Sequence, residues 1–418
     1  MKKILIISQW FPPEPAPIGI MLNELTDGMV ARGDQVTVIT GFPNHPGGQI
    51  YRGFKKKLWQ TDNSIGKKIV RVYLYTSPKK TFIRRALSYL TFSVSSLIAA
   101  MSLKSHDILF VVNQPLTLGP VGWLVKTVKR TRFVFNVQDI YPDVAVIMGV
   151  LKNRTVISFL RHLERFTYNK ADCITVIAET FKKNLLSKGI SDDKIKILPN
   201  WIDTDEIIPL GKNNGFSGNG LGKKFVVLYA GTIGLISGAD VLLRCAEQLK
   251  ERNEIVFVFV GEGIVKEKIE REAALRSLDN IKFFPFQPRQ MLPSVLATAD
   301  VCIVSLLKQA SEVSVPSKVL AYMAAGRPII ASVDPACETA KIIKQADCGK
   351  VVEPGDSSAI TAAILELFDD SDRAKSYGKN GRTYVMKYLS KKVLVTQYAE
   401  LLDTLPDYSM GSHRSDKN

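Results

Sequence analysis

The chain has 418 residues, 46% of them hydrophobic and 23% charged, the balance of a globular protein long enough for two domains. The formal net charge is +16, and residues 1–200 hold all of it, with 29 Lys and Arg against 13 Asp and Glu. The five cysteines form no CxxC pair and the four histidines are scattered; this argues against a zinc site or a disulfide framework and fits a reducing cytoplasm. No zinc finger or RNA-recognition signature accompanies the basic half, so the excess charge points to an anionic membrane surface rather than nucleic acid.

In chain order, Lys3–Ser8 reads as a buried strand and Ile18–Arg32 as a helix that Gly33 ends. Between them lies "FPPEPAPIG", stiffened by prolines, with Pro17 and Gly19 at the helix start. Further strands are expected at Gln35–Thr40, Ile69–Tyr73, Ile108–Val112, Arg132–Val137, Cys173–Ile177 and Ile195–Leu198. "NVQDIYPD" follows one of them and offers Gln138 and Asp139, the latter a sugar ligand, a base or a capping aspartate. Residues 78–103 join a basic "PKKTFIRR" to eighteen uncharged residues, six of them Ser or Thr. That segment is open to three readings: a membrane span, a helix lying on the membrane surface, or a core or interface helix.

The Gly- and Asn-rich stretch Leu210–Lys224 reads as a linker or mobile loop. A second alternating series follows, with strands at Phe225–Tyr229, Ile255–Val260, Ile281–Phe284, Val301–Ser305, Pro328–Ala331 and Lys350–Val352. Ser357–Leu405 is helical in pattern. Alternating strands and helices predict an α/β fold of two doubly wound, Rossmann-like domains. Such sheets bind ligands at the carboxyl ends of their strands, so a cleft between the domains is expected. The domain expectation is 1–205, a linker at 206–224, 225–385, and a C-terminal helix and tail at 386–418 that crosses back.

Three loops of the second series suit an anionic ligand. "GTIGLISGAD" carries Gly231, Gly234 and Gly238, which permit close backbone approach, and it lacks the spacing of a dinucleotide fingerprint. "VGEG" places Glu262 between Gly261 and Gly263, to meet a hydroxyl or to sit in solvent beside Lys266. "EVSVPSKVLAYMAAGRPIIAS" places Lys318 at a helix start behind Pro316 and Ser317, with Ser317 a possible N-cap. An ammonium at a helix start is a seat for a diphosphate, or else a solvated surface lysine.

Taken in order, "ISQWFPPEPAPIG", "ARGDQVTVIT", "ADCITVIAETFKKNL", "ILPNWIDT", "FVVLYAGTIG", "VGEG", "FFPFQPRQMLPSVLATADVCIVSL", "PSKVLAYMAAGRPIIAS" and "VVEPGD" resemble the retaining GT-B glycosyltransferases of family 4 type over nearly the whole chain. "GFPNHPGGQIYRGF", "VQDIYP", "PNW" and "VPSK" are similar to the O-antigen, capsule and colanic acid branch, which includes fucosyl- and N-acetylfucosaminyltransferases. The resemblance implies a UDP- or GDP-sugar donor in the C-terminal domain and a polyprenyl-diphosphate-linked acceptor in the N-terminal domain. It implies retention of configuration, with no metal and no cofactor beyond the donor. Gly231, Thr232, Gly261, Glu262, Phe286, Gln287, Ser305, Ser317, Lys318 and Val319 would line the donor site; Pro17, Gly19 and Gln138 the acceptor site; Asp139, Glu312 and Lys318 would carry catalysis. The family's two glutamates are displaced here. The second falls at Ala321 and the first at Val313, with Glu312 adjacent. The family's Arg and Lys after the first donor-domain strand are absent from "GTIGLISGAD", which leaves Lys318 a larger share of the diphosphate charge. A 6-deoxy sugar would need fewer of the lost contacts.

The expected activity is therefore sugar transfer to a lipid-linked acceptor in bacterial surface polysaccharide synthesis, by a protein peripheral at the inner face of the cytoplasmic membrane. Two alternatives remain: a GT-B epimerase of UDP-sugars, and a non-catalytic nucleotide-sugar binder that scaffolds a polysaccharide assembly complex.

Overall fold

The computed structural model describes residues 1–54, 57–64, 66–79, 81–212, 216–311 and 313–405. The chain forms two compact units, residues 1–199 with the segment from 394 onward, and residues 200–393. The first unit runs β1 (Lys3–Ile7), α1 (Pro17–Ala31), β2 (Gln35–Gly41), β3 (Trp59–Ser64), β4 (Lys67–Val72), α2 (Phe82–Ser102), β5 (Ile108–Val112), α3 (Leu118–Lys129), β6 (Arg132–Val137), α4 (Asp143–Ile147), α5 (Arg154–Lys170), β7 (Cys173–Val176), α6 (Glu179–Ser187) and β8 (Ile195–Ile197). Its sheet has the order β3-β4-β2-β1-β5-β6-β7-β8. Every pairing is parallel except β3 with β4. Ile4 on β1 lies between Val36 on β2 and Ile108 on β5. A parallel sheet is covered by helices on both faces, so β5 reads as the uninterrupted apolar run ILFVV, buried throughout.

The sequence pattern missed β3. Its residues, WQTDNS, carry no run of apolar side chains. An antiparallel edge strand pairs on one side only and has no need of a buried apolar face, so it leaves no such pattern.

The second unit runs β9 (Phe225–Ala230), α7 (Val241–Gln248), β10 (Ile255–Val260), α8 (Lys266–Leu275), β11 (Ile281–Phe284), α9 (Leu292–Ala297), β12 (Val301–Ser305), α10 (Lys318–Ala324), β13 (Ile329–Ser332), α11 (Glu338–Ala346), β14 (Gly349–Val352), α12 (Ser357–Asp369) and α13 (Ser371–Tyr388). Its all-parallel sheet has the order β11-β10-β9-β12-β13-β14. The topology therefore reverses between β9 and β12, the place where such sheets bind ligands. The stretch read as a linker is turn structure over 216–223, and its Phe216 and Leu221 are buried in this unit's core. Two apolar side chains thus anchor what composition presents as loose chain.

The last helix, α14 (Lys391–Thr404), returns the chain to the first unit from residue 394. There Leu394, Tyr398 and Leu402 are buried. Lys2 Nζ donates to Leu402 O, and Arg32 donates to both carboxylate oxygens of Asp403.

The uncharged segment after Pro78 is α2, 21 residues long. No helix among the described residues is long and apolar enough to cross a membrane. Nor is α2 a core helix on all sides, because only one face, with Phe92, Ser93, Ser96, Ala99 and Ala100, is buried.

Candidate functional site

In the second unit, the ends of β9 and β10 are closed onto one another. Gly231 N–H donates to Val260 O at 2.8 Å and Ile233 N–H donates to Glu262 O at 2.9 Å. A Cβ on Gly261 would lie 1.9 Å from Gly231 O, and one on Gly263 2.1 Å from Ile233 O. These two glycines are therefore required by the contact between loops. At Gly261, expected among the donor-site residues, the close neighbour is backbone of this chain. Glu262 is exposed and accepts from Lys266 Nζ at 2.8 Å, one turn along, in an ion pair on the solvent side.

Lys318 is the first residue of α10 and is half-buried. Its Nζ lies 3.5 Å from the ring centroid of Tyr229, over the ring face. A Cβ built on Gly231 would be 3.4 Å from Lys318 Cε and 3.7 Å from Nζ, so the first glycine of the β9 loop adjoins the ammonium. No carboxylate pairs with Lys318 among the described residues. Burial accordingly lowers its pKa from the usual lysine value to about 7. The quadrupole of the ring offsets part of that cost.

The placement of this lysine rests on tyrosines. Tyr229 donates from its hydroxyl to Thr232 O at 3.0 Å. Tyr322, fully buried on α10, accepts from Ala230 N–H at 2.9 Å and donates to Ala230 O at 3.1 Å, locking α10 to the end of β9. At the other end of α10, Gly326 ends the helix with φ of 66°, and Arg382 donates to Ala324 O at 2.8 Å. Neither tyrosine nor arginine was singled out from sequence. "FVVLYAG" shows an aromatic at the strand end, but its partner lies far along the chain.

The other predicted donor residues vary in position. Thr232 is exposed beside Gly231. Ser305 ends β12 with its hydroxyl buried and without a hydrogen-bond partner among the described residues. Val319 is core. Ser317 occupies the N-cap place but makes no side-chain capping bond, and α10 has seven residues, so the ammonium rather than the helix end supplies the positive charge. Phe286 is exposed, and Gln287 Nε2 turns back to Pro285 O at 2.9 Å beyond the edge strand β11. Ala321 is buried in the core cluster. Glu312 lies outside the described residues.

In the first unit, Asp139 follows β6. Its carboxylate accepts from Gln114 Nε2, and Asn113 Nδ2 donates to its carbonyl at 2.5 Å. Burial raises the Asp139 pKa to about 7, against the lowering effect of Gln114. Asp139 in turn raises the pKa of Tyr141 and of Tyr89 on α2, both already raised by burial. Gln138 is buried and donates through Nε2 to Asn136 Oδ1 at 2.8 Å; Asn136 donates to Thr175 and Tyr398. Its side chain belongs to an internal amide relay. Pro17 is the exposed first residue of α1. The room left by Gly19 is filled by backbone of Trp10 and Phe11, 3.2 Å from where a Cβ would stand.

Sequence reading passed over Glu14, the lone acid among the prolines of "FPPEPAPIG". It is 1% exposed. Its Oε1 accepts from the backbone N–H of Asn44 and of His45, both at 2.8 Å, tying the loop after β1 to the loop after β2. Burial raises its pKa to about 7, opposed by those hydrogen bonds and by Arg71. A carboxyl raised in the folded state binds its proton more tightly there than in the unfolded chain. Its effect on stability is therefore favourable below about pH 4.5, lost progressively up to about 7, and constant above. Glu14→Gln, which keeps the acceptor oxygen, should stabilise the protein by about 1–3 kcal/mol at pH 8 and by almost nothing at pH 4.5. Urea denaturation at the two pH values checks this; an equal effect at both would remove the titration from the account.

Two family models match, one for each half of the chain. Residues 18–206 match Glycosyltransferase Family 4, and residues 213–384 match Glycosyl transferases group 1. WcaI of Escherichia coli strain K12, named for glycosyl transfer in colanic acid biosynthesis, is 25% identical over 411 residues, covering 95% of this chain and 98% of its own. Among solved structures, sucrose-phosphate synthase from Thermosynechococcus elongatus aligns with a TM-score of 0.75 at 17% identity, over 96% of this chain and 98% of that one. HepE of Anabaena, in complex with UDP-glucose, aligns at 0.69 and 14% identity, over 97% of this chain and all of that one. At these identities the structures show a shared fold of two Rossmann-like domains, GT-B.

Proposed function

We propose, from the premise that this chain belongs to the glycosyltransferases of group 1 and family 4 type, that it moves a sugar from a UDP- or GDP-sugar to a lipid-linked acceptor in surface polysaccharide synthesis, retaining the anomeric configuration. The observation that carries this reading is Lys318. A desolvated ammonium with no acid beside it among the described residues, held over Tyr229 and next to Gly231, is built for an anion brought by a ligand. A nucleotide diphosphate supplies that anion. The UDP-glucose held by HepE and the colanic acid role in the name of WcaI support the donor and the setting.

In the proposed reaction the bond from the anomeric carbon to the diphosphate oxygen breaks first. Charge develops on the leaving oxygen, and Lys318 stabilises it in a dry site where the interaction is strong. The acceptor hydroxyl adds on the same face, and its proton passes to the departing phosphate. Asp139 holds sugar hydroxyls in the acceptor unit. Ala321, apolar and buried, offers no acid to the donor's ribose, and a 6-deoxy donor such as fucose or N-acetylfucosamine would need fewer of the hydroxyl contacts that the family's displaced acids make.

The titration of Lys318 gives a test with a defined sign. Below about pH 7 the ammonium is already charged and donor affinity is maximal. Above it, the lysine must take up a proton as the diphosphate binds, so affinity falls by up to about tenfold per pH unit until the raised pKa of the complex is reached. A nucleotide sugar is the right probe, since its diphosphate diester does not titrate near 7. Calorimetry in buffers of different ionisation heat should show proton uptake at pH 8. Uptake of none would mean that Lys318 does not meet the diphosphate.

Incubating the purified protein and bacterial membranes with UDP- and GDP-sugars, and following sugar into the lipid fraction, tests the function itself. Transfer from one donor with retained configuration is the expected result. Free altered sugar would establish an epimerase, and binding without transfer a scaffold.

A further inference from the structure

Along α2, Ile83, Leu87, Leu90, Val94 and Ile98 are 70%, 43%, 54%, 58% and 55% exposed. Their spacing of four, three, four and four residues makes one continuous stripe, about 22 Å long at the helical rise of about 1.5 Å per residue. The opposite face packs on α3, β2 and β4. A stripe of this kind is costly in water and marks a surface that something covers.

The charge around it selects the covering. From residue 63 to residue 106 the chain contains no Asp or Glu, and it contains eight Lys and Arg. Of these, Lys67 and Arg71 are buried and paired with Asp27 and Asp62, whereas Lys79, Arg85 and Lys104 are exposed at the two ends of α2. A second copy of the chain, docking by the same stripe, would bring cations against cations with no acid in the segment to pair them. An anionic lipid surface meets both features at once, the apolar stripe entering the acyl boundary and the flanking cations meeting headgroups.

We propose that the outward face of α2, from Ile83 to Ile98, seats this protein on an anionic bilayer. The inference rests on the lipid-acceptor reading for its purpose and on the exposed stripe for its geometry. On the same helix the half-buried Tyr89 has its pKa raised by burial and further by the charge of Asp139. One element thereby joins the membrane contact to the acidic residue of the acceptor unit, and a lipid-linked acceptor would be presented where that residue lies.

The test uses the full chain and a variant with Ile83→Ser, Leu87→Ser and Leu90→Ser. These side chains are exposed, so folding should be unchanged, which a thermal melt verifies. Wild type should sediment with vesicles containing phosphatidylglycerol far more than with phosphatidylcholine alone, and less as salt is raised. The triple variant should lose on the order of a hundredfold in partitioning, and should still transfer sugar into a detergent extract of bacterial membranes at the wild-type rate. Equal partitioning of variant and wild type would overturn the proposal. So would a wild-type dimer in size-exclusion chromatography that the variant dissolves, since the stripe would then belong to a second copy. Wild type that binds vesicles but gives no sugar to any lipid would refute the acceptor reading and leave the membrane seat standing.

Discussion

Lys318→Met should slow sugar transfer by about 30- to 1000-fold in kcat/KM, the roughly 2–4 kcal/mol lost when one preorganised charge is removed from a leaving group. The same variant should melt higher than wild type. An ammonium that burial has brought down to a pKa of about 7 is a cost to the empty protein, and a methionine of similar length fills its place over Tyr229 without that cost. Activity and stability then move in opposite directions, the mark of a group placed for function. A surface lysine of no consequence would change neither. Kinetics with the established donor and a thermal melt, measured on one preparation, read both quantities. A fall in kcat/KM with an equal fall in melting temperature would instead mean that the lysine is structural.

Gly261→Ala is the second large effect. Its new methyl would sit 1.9 Å from Gly231 O, so the loops after β9 and β10 must part. Parting them breaks the 2.8 Å bond from Gly231 N–H to Val260 O and shifts Gly231 away from Lys318. A loss of about 3 kcal/mol or more in stability is expected for such overpacking with a broken buried bond, together with weaker nucleotide-sugar binding. Gly234→Ala is the control. There the nearest atom is Thr232 Cγ2 at 3.7 Å, an ordinary contact, and little should change. Urea denaturation and donor titration of the pair decide it. Equal behaviour of the two variants would show that the loops have room to move apart.

The run of β-branched residues in Ile108–Val112, Ile255–Val260 and Val301–Ser305 determined those strands to the residue, because a strand buried on both faces needs apolar side chains at every position. The alternation of such strands with helices determined the fold class, and the ordered loop motifs pointed to the family. Composition alone also marked the segment after Pro78 as basic and then uncharged. Only the tertiary structure decided what these residues do. It put the ring of Tyr229 beneath Lys318, residues distant in the chain that meet because β9 and β12 are neighbours. It set Gly261 against Gly231, giving a loop contact as the reason for that glycine. It enclosed Glu14, which in sequence is one acid among prolines, and turned one face of α2 to its sheet and the other to water. The physical reason is one of range. Strand and helix patterns record the repeat of a single element, which neighbours in the chain determine. Pairing, desolvation and exposure depend on which distant elements pack together, and that is fixed only when the sheet is assembled.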